Sequence, residues 1–220
     1  MNAQTLRRWL IGAAAALHEQ RDYLMQCDAA IGDADHGTNM DRGFTAVAKQ
    51  LEGLETASPR EVLVAAGSTL VSTIGGASGP LWGMALRRAG RALGDAEEFG
   101  PAELADALDA ALAGVTELGG AKVGDKTMVD ALTPAVQTLR SRIEGGDSLG
   151  EAASAARAAA EEGAIVTASL EARKGRASYV GERSIGHQDP GATSTAIIFA
   201  ALEEALGSTM SQREMHDRGR

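Results

Sequence analysis

Val129-Asp-Ala-Leu132-Thr-Pro-Ala-Val136-Gln-Thr-Leu139-Arg-Ser-Arg-Ile143 sets its large apolar residues 3, 4, 3 and 4 positions apart. That interval lines one face of an α-helix and is the seam of an antiparallel bundle. The same period continues on both sides. Upstream, Pro101 and Glu103 open a stripe of Leu104, Leu108, Ala111, Val115 and Leu118. Downstream, Ser148-Leu149-Gly150-Glu151 is a capping box ahead of an alanine-rich helix reaching about Leu170. Ser58-Pro59-Arg60-Glu61 is a second box, with proline at the first helical position, before Leu63, Ala66, Leu70 and Ile74. Asp189-Pro190 caps a last helix carrying Ala196, Ile198 and Leu202. A first helix (Leu6, Leu10, Ala13, Leu17, Leu24), one from Thr38 to about Glu55 and one from about Pro80 to Leu93 bring the count to eight.

Strand signals are nearly absent, and the breaks between helices are short and glycine-rich: Gly75-Gly76, Gly94, Gly119-Gly120, Gly145-Gly146. None is linker-like enough to divide the chain. The expectation is an all-α fold, a single domain over residues 1–207 built as a barrel or bundle of about eight antiparallel helices, with a polar tail over 208–220. The one extended connection, Glu171 to Gln188, is longer than bundle loops usually are, as lids and binding loops are.

Bulk properties narrow the function. A net charge of −9 and 3% aromatic residues argue against nucleic acid, which asks for excess Lys and Arg and for stacking platforms. Cys27, the single cysteine, excludes a disulfide framework and suits a reducing, cytoplasmic setting. No apolar run approaches the roughly 20 residues that span a bilayer, so no membrane role is expected. Arg7-Arg8 before Trp9-Leu10-Ile11 has the look of an export signal, but helical spacing continues through polar His18 to Asp22 as far as Leu24. A core-facing helix explains both halves.

The chemistry concentrates in Asp28-Ala-Ala-Ile-Gly-Asp33-Ala-Asp35-His36-Gly37-Thr38-Asn39-Met40, with three carboxylates in eight residues. Crowded carboxylates repel unless a cation sits among them, and hard oxygen ligands select Mg²⁺ or Ca²⁺ over zinc. Asp28 falls four residues after Leu24, so it continues the core-facing stripe and points inward at the mouth of the bundle. Asp33 and Asp35 sit on the following turn, where both side chains converge. An EF-hand is excluded, because the twelfth position counted from Asp33 is Phe44 and from Asp28 is Asn39. Mg²⁺ shared between carboxylates and substrate phosphates fits better. Gly37 or Thr38 would start the next helix, whose free N–H groups suit a phosphate.

Other loops repeat the theme. Gly75-Gly76-Ala77-Ser78-Gly79-Pro80 can turn backbone amides toward an anion, or simply end one helix and turn. Gly119-Gly120-Ala121-Lys122-Val123-Gly124-Asp125-Lys126-Thr127 fails as a Walker A loop, since Asp125 stands where the lysine belongs. It reads instead as a helix start with Asp125 as N-cap. In the long loop Arg176 is the natural partner for phosphate oxygens, with Gly175, Gly181 and Gly186 as hinges.

These loops, GDADHGTNM after an upstream Asp, GGASGPLWG, GGAKVGDKTMVDAL and GRASYVGERSIGHQDPGATS, occur in order over nearly the whole chain. Together they resemble the L subunit of dihydroxyacetone kinase. The resemblance implies a barrel of eight antiparallel helices with ADP or ATP bound at one end. It implies that Asp28, Asp33 and Asp35 hold two Mg²⁺ ions bridging the phosphates. It further implies that His36, Gly37, Thr38 and Asn39, with Ala77 and Ser78, contact phosphates. Gly119, Gly120, Met128, Arg176, Asp189, Pro190 and Gly191 would line the rest of the nucleotide site, with His36 and Arg176 as charge stabilisers. The implied partner is a separate K subunit that holds dihydroxyacetone, and the donor is either a subunit of the phosphotransferase system or ATP. A homodimer stays open. An ATP-dependent kinase subunit for another ketose or polyol, and a non-catalytic ADP-sensing regulator, remain alternatives.

Overall fold

Serine and acid side chains begin the helices as the sequence predicts. Ser58 Oγ accepts the Glu61 N–H at 3.3 Å while the Glu61 carboxylate accepts the Ser58 N–H at 2.8 Å. Ser148 and Glu151 repeat the exchange, and Glu103 accepts the Gly100 N–H at 3.0 Å. Asp189 Oδ2 accepts the Ala192 N–H at 2.7 Å. Each such cap satisfies a donor the helix itself leaves unpaired. The computed structural model describes residues 1–54 and 57–217, with side chains to residue 207.

Among the described residues there are nine α-helices: α1 (Ala3–Glu19), α2 (Arg21–Ile31), α3 (His36–Glu52), α4 (Pro59–Thr73), α5 (Ser78–Leu93), α6 (Pro101–Gly119), α7 (Val129–Glu144), α8 (Leu149–Val166) and α9 (Pro190–Asp217). Two 3-10 segments, Thr167–Ser169 and Arg176–Ser184, lie between α8 and α9. From α3 to α9 each helix packs on the next; α9 packs on α1, and α1 on α3, closing a ring of eight. The eighth-helix expectation therefore holds for the ring. The ninth element arises because the first helix breaks at Gln20 (φ −93°, ψ 7°), where one continuous helix to Leu24 is expected. After the break α2 leaves the ring and lies against α3, α9 and the Arg176–Ser184 segment. Position 37 makes that approach feasible, since a Cβ there would sit 2.1 Å from the Arg21 carbonyl oxygen.

Three other boundaries differ. The helix expected to reach about Glu55 ends at Glu52, and residues 55 and 56 lie outside the described residues. The alanine-rich helix stops at Val166 and tightens into 3-10 geometry before Leu170. The side chains of the expected tail over 208–220 lie outside the described residues, while the α9 backbone runs to Asp217.

The predicted stripes supply much of the core, except that Leu118, at the end of the α6 stripe, is half exposed. Leu10, Leu17, Leu24, Leu63, Leu70, Leu132, Val136 and Leu139 are all essentially buried. Phe44 and Trp82 meet edge to face at 6.5 Å. Trp9 Nε1–H donates to the Ile198 carbonyl at 3.0 Å, fastening α1 to α9 where the ring closes. Fully burying each large apolar side chain stabilises by roughly 1.5–3 kcal/mol. Arg7 and Arg8 lie in the second turn of α1, a helix whose apolar face is core, as the bundle reading requires. No helix among the described residues is long and apolar enough to cross a membrane.

Short connections make ring neighbours antiparallel, so alternate connections share an end. The connections α2–α3, α4–α5, α6–α7 and α8–α9 therefore meet at one end of the barrel. They are the loops that carry the aspartates, Gly75-Gly76, Gly119 to Thr127 and Arg176.

Candidate metal and nucleotide site

At that end the carboxylates of Asp28, Asp33 and Asp35 offer ligand oxygens that all lie within 4.8 Å of one another. Asp28 is buried, held by α2 as the stripe from Leu24 requires. Its Oδ2 accepts the N–H groups of Asp35 at 2.9 Å and His36 at 3.1 Å, which fixes the carboxylate and pins the start of α3. Gly32 supplies the room: a Cβ there would lie 2.0 Å from Asp28 Oδ1. Between the two exposed aspartates Ala34 adopts φ 60°, a left-handed conformation that costs about 1 kcal/mol or more outside glycine. Such strain is retained where the surroundings dictate a geometry. The donor set fits a hard divalent cation. Three carboxylates with oxygens this close would supply the hard donors that Mg²⁺ takes.

The aspartates border a cavity of about 300 Å³. Its polar lining includes Asp28, Asp33, Asp35, His36 and Asn39 with the Gly75–Ser78 turn, and its apolar lining includes Leu81, Val115, Met128 and Val129. His36 is buried, which pushes its pKa below the usual value in spite of the neighbouring Asp28 and Asp35 charges. Ser194 Oγ donates to the Gly191 carbonyl at 3.0 Å, so it accepts from His36 Nε2–H, also at 3.0 Å. His36 Nδ1 is then the acceptor facing Ser78 Oγ at 3.3 Å. Asn39 Oδ1 accepts from Arg42 at 2.7 Å, leaving the Asn39 amide N–H₂ as donor. Asp189 is buried in the floor, and burial pushes its carboxyl up to about 7.

The long connection is not an open loop. Its Arg176–Ser184 stretch is 3-10, broken at Gly181 (φ 56°). Arg176 Nε reaches Asp33 Oδ2 at 3.0 Å. Tyr23 OH donates to Gln188 Oε1 at 3.0 Å, tying α2 to the same connection.

Most of the residues singled out from sequence meet at this cavity: Asp28, Asp33, Asp35, His36, Asn39, Ala77, Ser78, Gly119, Met128, Arg176, Asp189, Pro190 and Gly191 border it. Gly37, Thr38 and Gly120 do not. Gly37 is pressed against α2, Thr38 Oγ1 turns out to Met25 Sδ at 3.3 Å, and Gly120 is the left-handed cap of α6. Helix α3 starts at His36, before the expected Gly37 or Thr38, with Asp35 as its cap residue. Asp125 is not the cap of α7, which begins at Val129 after Met128. Its carboxylate turns back to accept the Lys122 N–H at 3.0 Å, and Asp130 takes the N–H groups of Gly124 and Thr127. Lys126 and Lys174 border the cavity without having been singled out.

A family model, the DAK2 domain, matches residues 30–204. The chain belongs to the DAK2 domain family. This DAK2 chain is 43% identical over 194 residues to the ADP-binding subunit DhaL of the PEP-dependent dihydroxyacetone kinase of Escherichia coli K12, covering 88% of this chain and 92% of that one. It is 39% identical over 212 residues to the L-erythrulose kinase of Pectobacterium atrosepticum, covering 92% of this chain and 36% of the relative. The crystal structure of the C. freundii dihydroxyacetone kinase in complex with AMP-PNP and Mg²⁺ superposes with a TM-score of 0.71 at 28% identity, over 91% of this chain. The DAK2 chain spans 34% of that longer chain.

Proposed function

We propose that this chain is the nucleotide-binding subunit of a dihydroxyacetone kinase, passing a phosphoryl group to dihydroxyacetone held on a separate K subunit. The observation that carries the reading is the three-aspartate cluster bordering a cavity that is also lined by apolar Leu81, Val115, Met128 and Val129. That mixed lining suits a nucleotide, with phosphates toward Asp28, Asp33 and Asp35 and the base toward Leu81, Val115 and Met128. When bound, Mg²⁺, as a pair of ions on this reading, supplies positive charge against the phosphates. The chain's own groups orient and neutralise: the Asn39 amide and the Gly75–Ser78 turn donate to phosphate oxygens, and Arg176 adds charge from the loop. Neutral His36 holds Ser78 and Ser194 in place rather than supplying charge. The E. coli relative's size and PEP dependence favour a phosphotransferase-system donor that recharges bound ADP. Exposed Val123, Tyr179 and Ile185 on the connections at this end, with Ile165 and Val166 at the end of α8, offer apolar area for the partner.

A second acceptor is favoured by one finding. A relative that shares this segment over 36% of its own length is an L-erythrulose kinase.

The purified chain is expected to carry ADP by mass analysis and to leave free dihydroxyacetone unphosphorylated when given ATP alone. Adding a dihydroxyacetone-loaded K subunit and a phosphoryl donor is expected to restore turnover. Rapid ATP-dependent phosphorylation by the chain alone would overturn the subunit reading, because proximity to a held acceptor contributes roughly 7–11 kcal/mol at most and would here be missing.

A further inference from the structure

Lys126 is 1% exposed, yet it is a lysine in a loop. Its Nζ donates to four backbone carbonyls: Thr167 at 2.8 Å, Leu170 at 3.1 Å, Ser184 at 2.8 Å and His187 at 2.5 Å. Three protons facing four acceptors leave none for a phosphate. The backbone of Lys126 is itself left-handed, φ 61°, a conformation unusual for a residue with a side chain and a sign that the surroundings impose it. Burial lowers the lysine pKa, and the negative charges of Asp189 and Asp130 oppose that shift.

The four carbonyls belong to both ends of one connection. Thr167 and Leu170 follow α8, and Ser184 and His187 precede α9. One ammonium therefore draws the two strands of the loop together at its base. Neighbouring bonds reinforce the same closure, Gly186 N–H to the Ala168 carbonyl at 2.7 Å and Ala172 N–H to Ser184 Oγ at 2.8 Å, while Arg173 N–H to the Asp125 carbonyl at 3.0 Å ties the connection to the α6–α7 loop that carries Lys126. Beyond the base stand the tip residues, with Gly175 (φ 65°) and Gly181 (φ 56°) at its joints and Arg176 reaching Asp33. Thr167 also ties the staple to the cavity floor, its Oγ1 accepting the Asp189 N–H at 2.9 Å.

We propose that Lys126 is a positioning residue for nucleotide binding: its ammonium staples the 167–187 connection at the base and so carries Arg176 to the aspartate cluster, without touching the nucleotide. The role rests on the reading of the cavity as a nucleotide site. Lys126→Met keeps the side-chain length and removes the donor that these carbonyls share.

Hydrogen exchange of the nucleotide-free protein is the first test. Amides of 167–187 are expected to exchange at least about tenfold faster in Lys126→Met, with those of α4 and α5 unchanged. The second is a double-mutant cycle on Mg–ADP affinity. Arg176→Ala is expected to weaken binding about tenfold in the otherwise unaltered protein and less than about twofold in the Lys126→Met background, because Arg176 is no longer delivered. A lysine that gripped phosphate would leave ligand-free exchange unaltered and keep the full Arg176→Ala cost, and either result overturns the proposal. Should Lys126→Met fail to fold, Ser184→Ala removes the second strut of the same base. It is expected to show the same loss of the Arg176→Ala effect, and an undiminished effect in a loosened loop overturns the role. Unaltered protein that bound no Mg–ADP would sink the nucleotide reading, a result separate from the ligand-free exchange.

Discussion

Arg176 Nε stands 3.0 Å from Asp33 Oδ2, so the tip of the long connection is latched to a carboxylate of the aspartate cluster. The pair is half open to water, with side-chain exposures of 69% and 35%, and exposed pairs of this kind contribute about 0–1 kcal/mol. The latch is therefore weak. A divalent cation held by Asp33 would compete for the carboxylate and would free Arg176 for a phosphate.

Trypsin cleavage reports that exchange of partners. Cutting at Lys174 and Arg176 is expected to be fast without ligand and strongly suppressed by Mg–ADP. Arg176→Ala is expected to remove most of the protection at Lys174 with the helical circular-dichroism signal intact. Equal cleavage rates with and without Mg–ADP would show that the tip does not respond to the nucleotide.

Asp33→Asn and Asp35→Asn are expected to abolish retention of Mg–ADP with little change in the ligand-free melting temperature. Both side chains are exposed and contribute little to the core. The unsubstituted protein gains about 2.7 kcal/mol at a ligand concentration of 100 Kd, so EDTA is expected to lower its melting temperature by several degrees. Calorimetry of the Asn variants with and without EDTA should show no shift; a shift equal to that of the unsubstituted protein would remove the carboxylates from the metal site.

Gly32→Ala tests the same site from the backbone. Its Cβ would lie 2.0 Å from Asp28 Oδ1, so the carboxylate must turn away. Mg–ADP affinity is expected to fall at least about tenfold, a loss of about 1.4 kcal/mol. Isothermal titration checks it, and undiminished affinity would show that Asp28 need not hold its observed orientation.

Asp189 makes stability pH-dependent. Its carboxyl is raised from 3.8 to about 7, so between those values the folded protein keeps a proton that the unfolded chain has released. Stability from this group is present at low pH and is lost as pH rises through about 7. Asp189→Asn still caps α9 but cannot ionise. In metal-free protein its melting temperature relative to the unsubstituted chain is expected to be higher at about pH 8 than at about pH 5, and a pH-independent difference would refute the assignment.

Local physics accounts for what could be read without coordinates. A capping box such as Ser58–Glu61 closes within four residues, and the Val129–Ile143 stripe announces a helix wherever it packs. Asp28 was legible for the same reason: four residues beyond Leu24 on a helix, it must face inward. The break at Gln20 was not, because α2 leaves the ring to meet α3 and α9, a contact no spacing encodes. Gly37 carries the signature of a phosphate loop, and in the fold it provides the clearance for the Arg21 carbonyl. Lys126 offered no signal beyond a failed Walker motif. Its acceptors lie 41 to 61 residues along the chain, and only the closed ring brings the two ends of the α8–α9 connection to one ammonium. Sequence by itself thus determined the helices, their inward faces and the carboxylate cluster, whose interactions span one or two turns. Which glycines serve packing, which lysine serves the loop and what Arg176 meets were decided by tertiary structure, because those partners become neighbours only when the barrel closes.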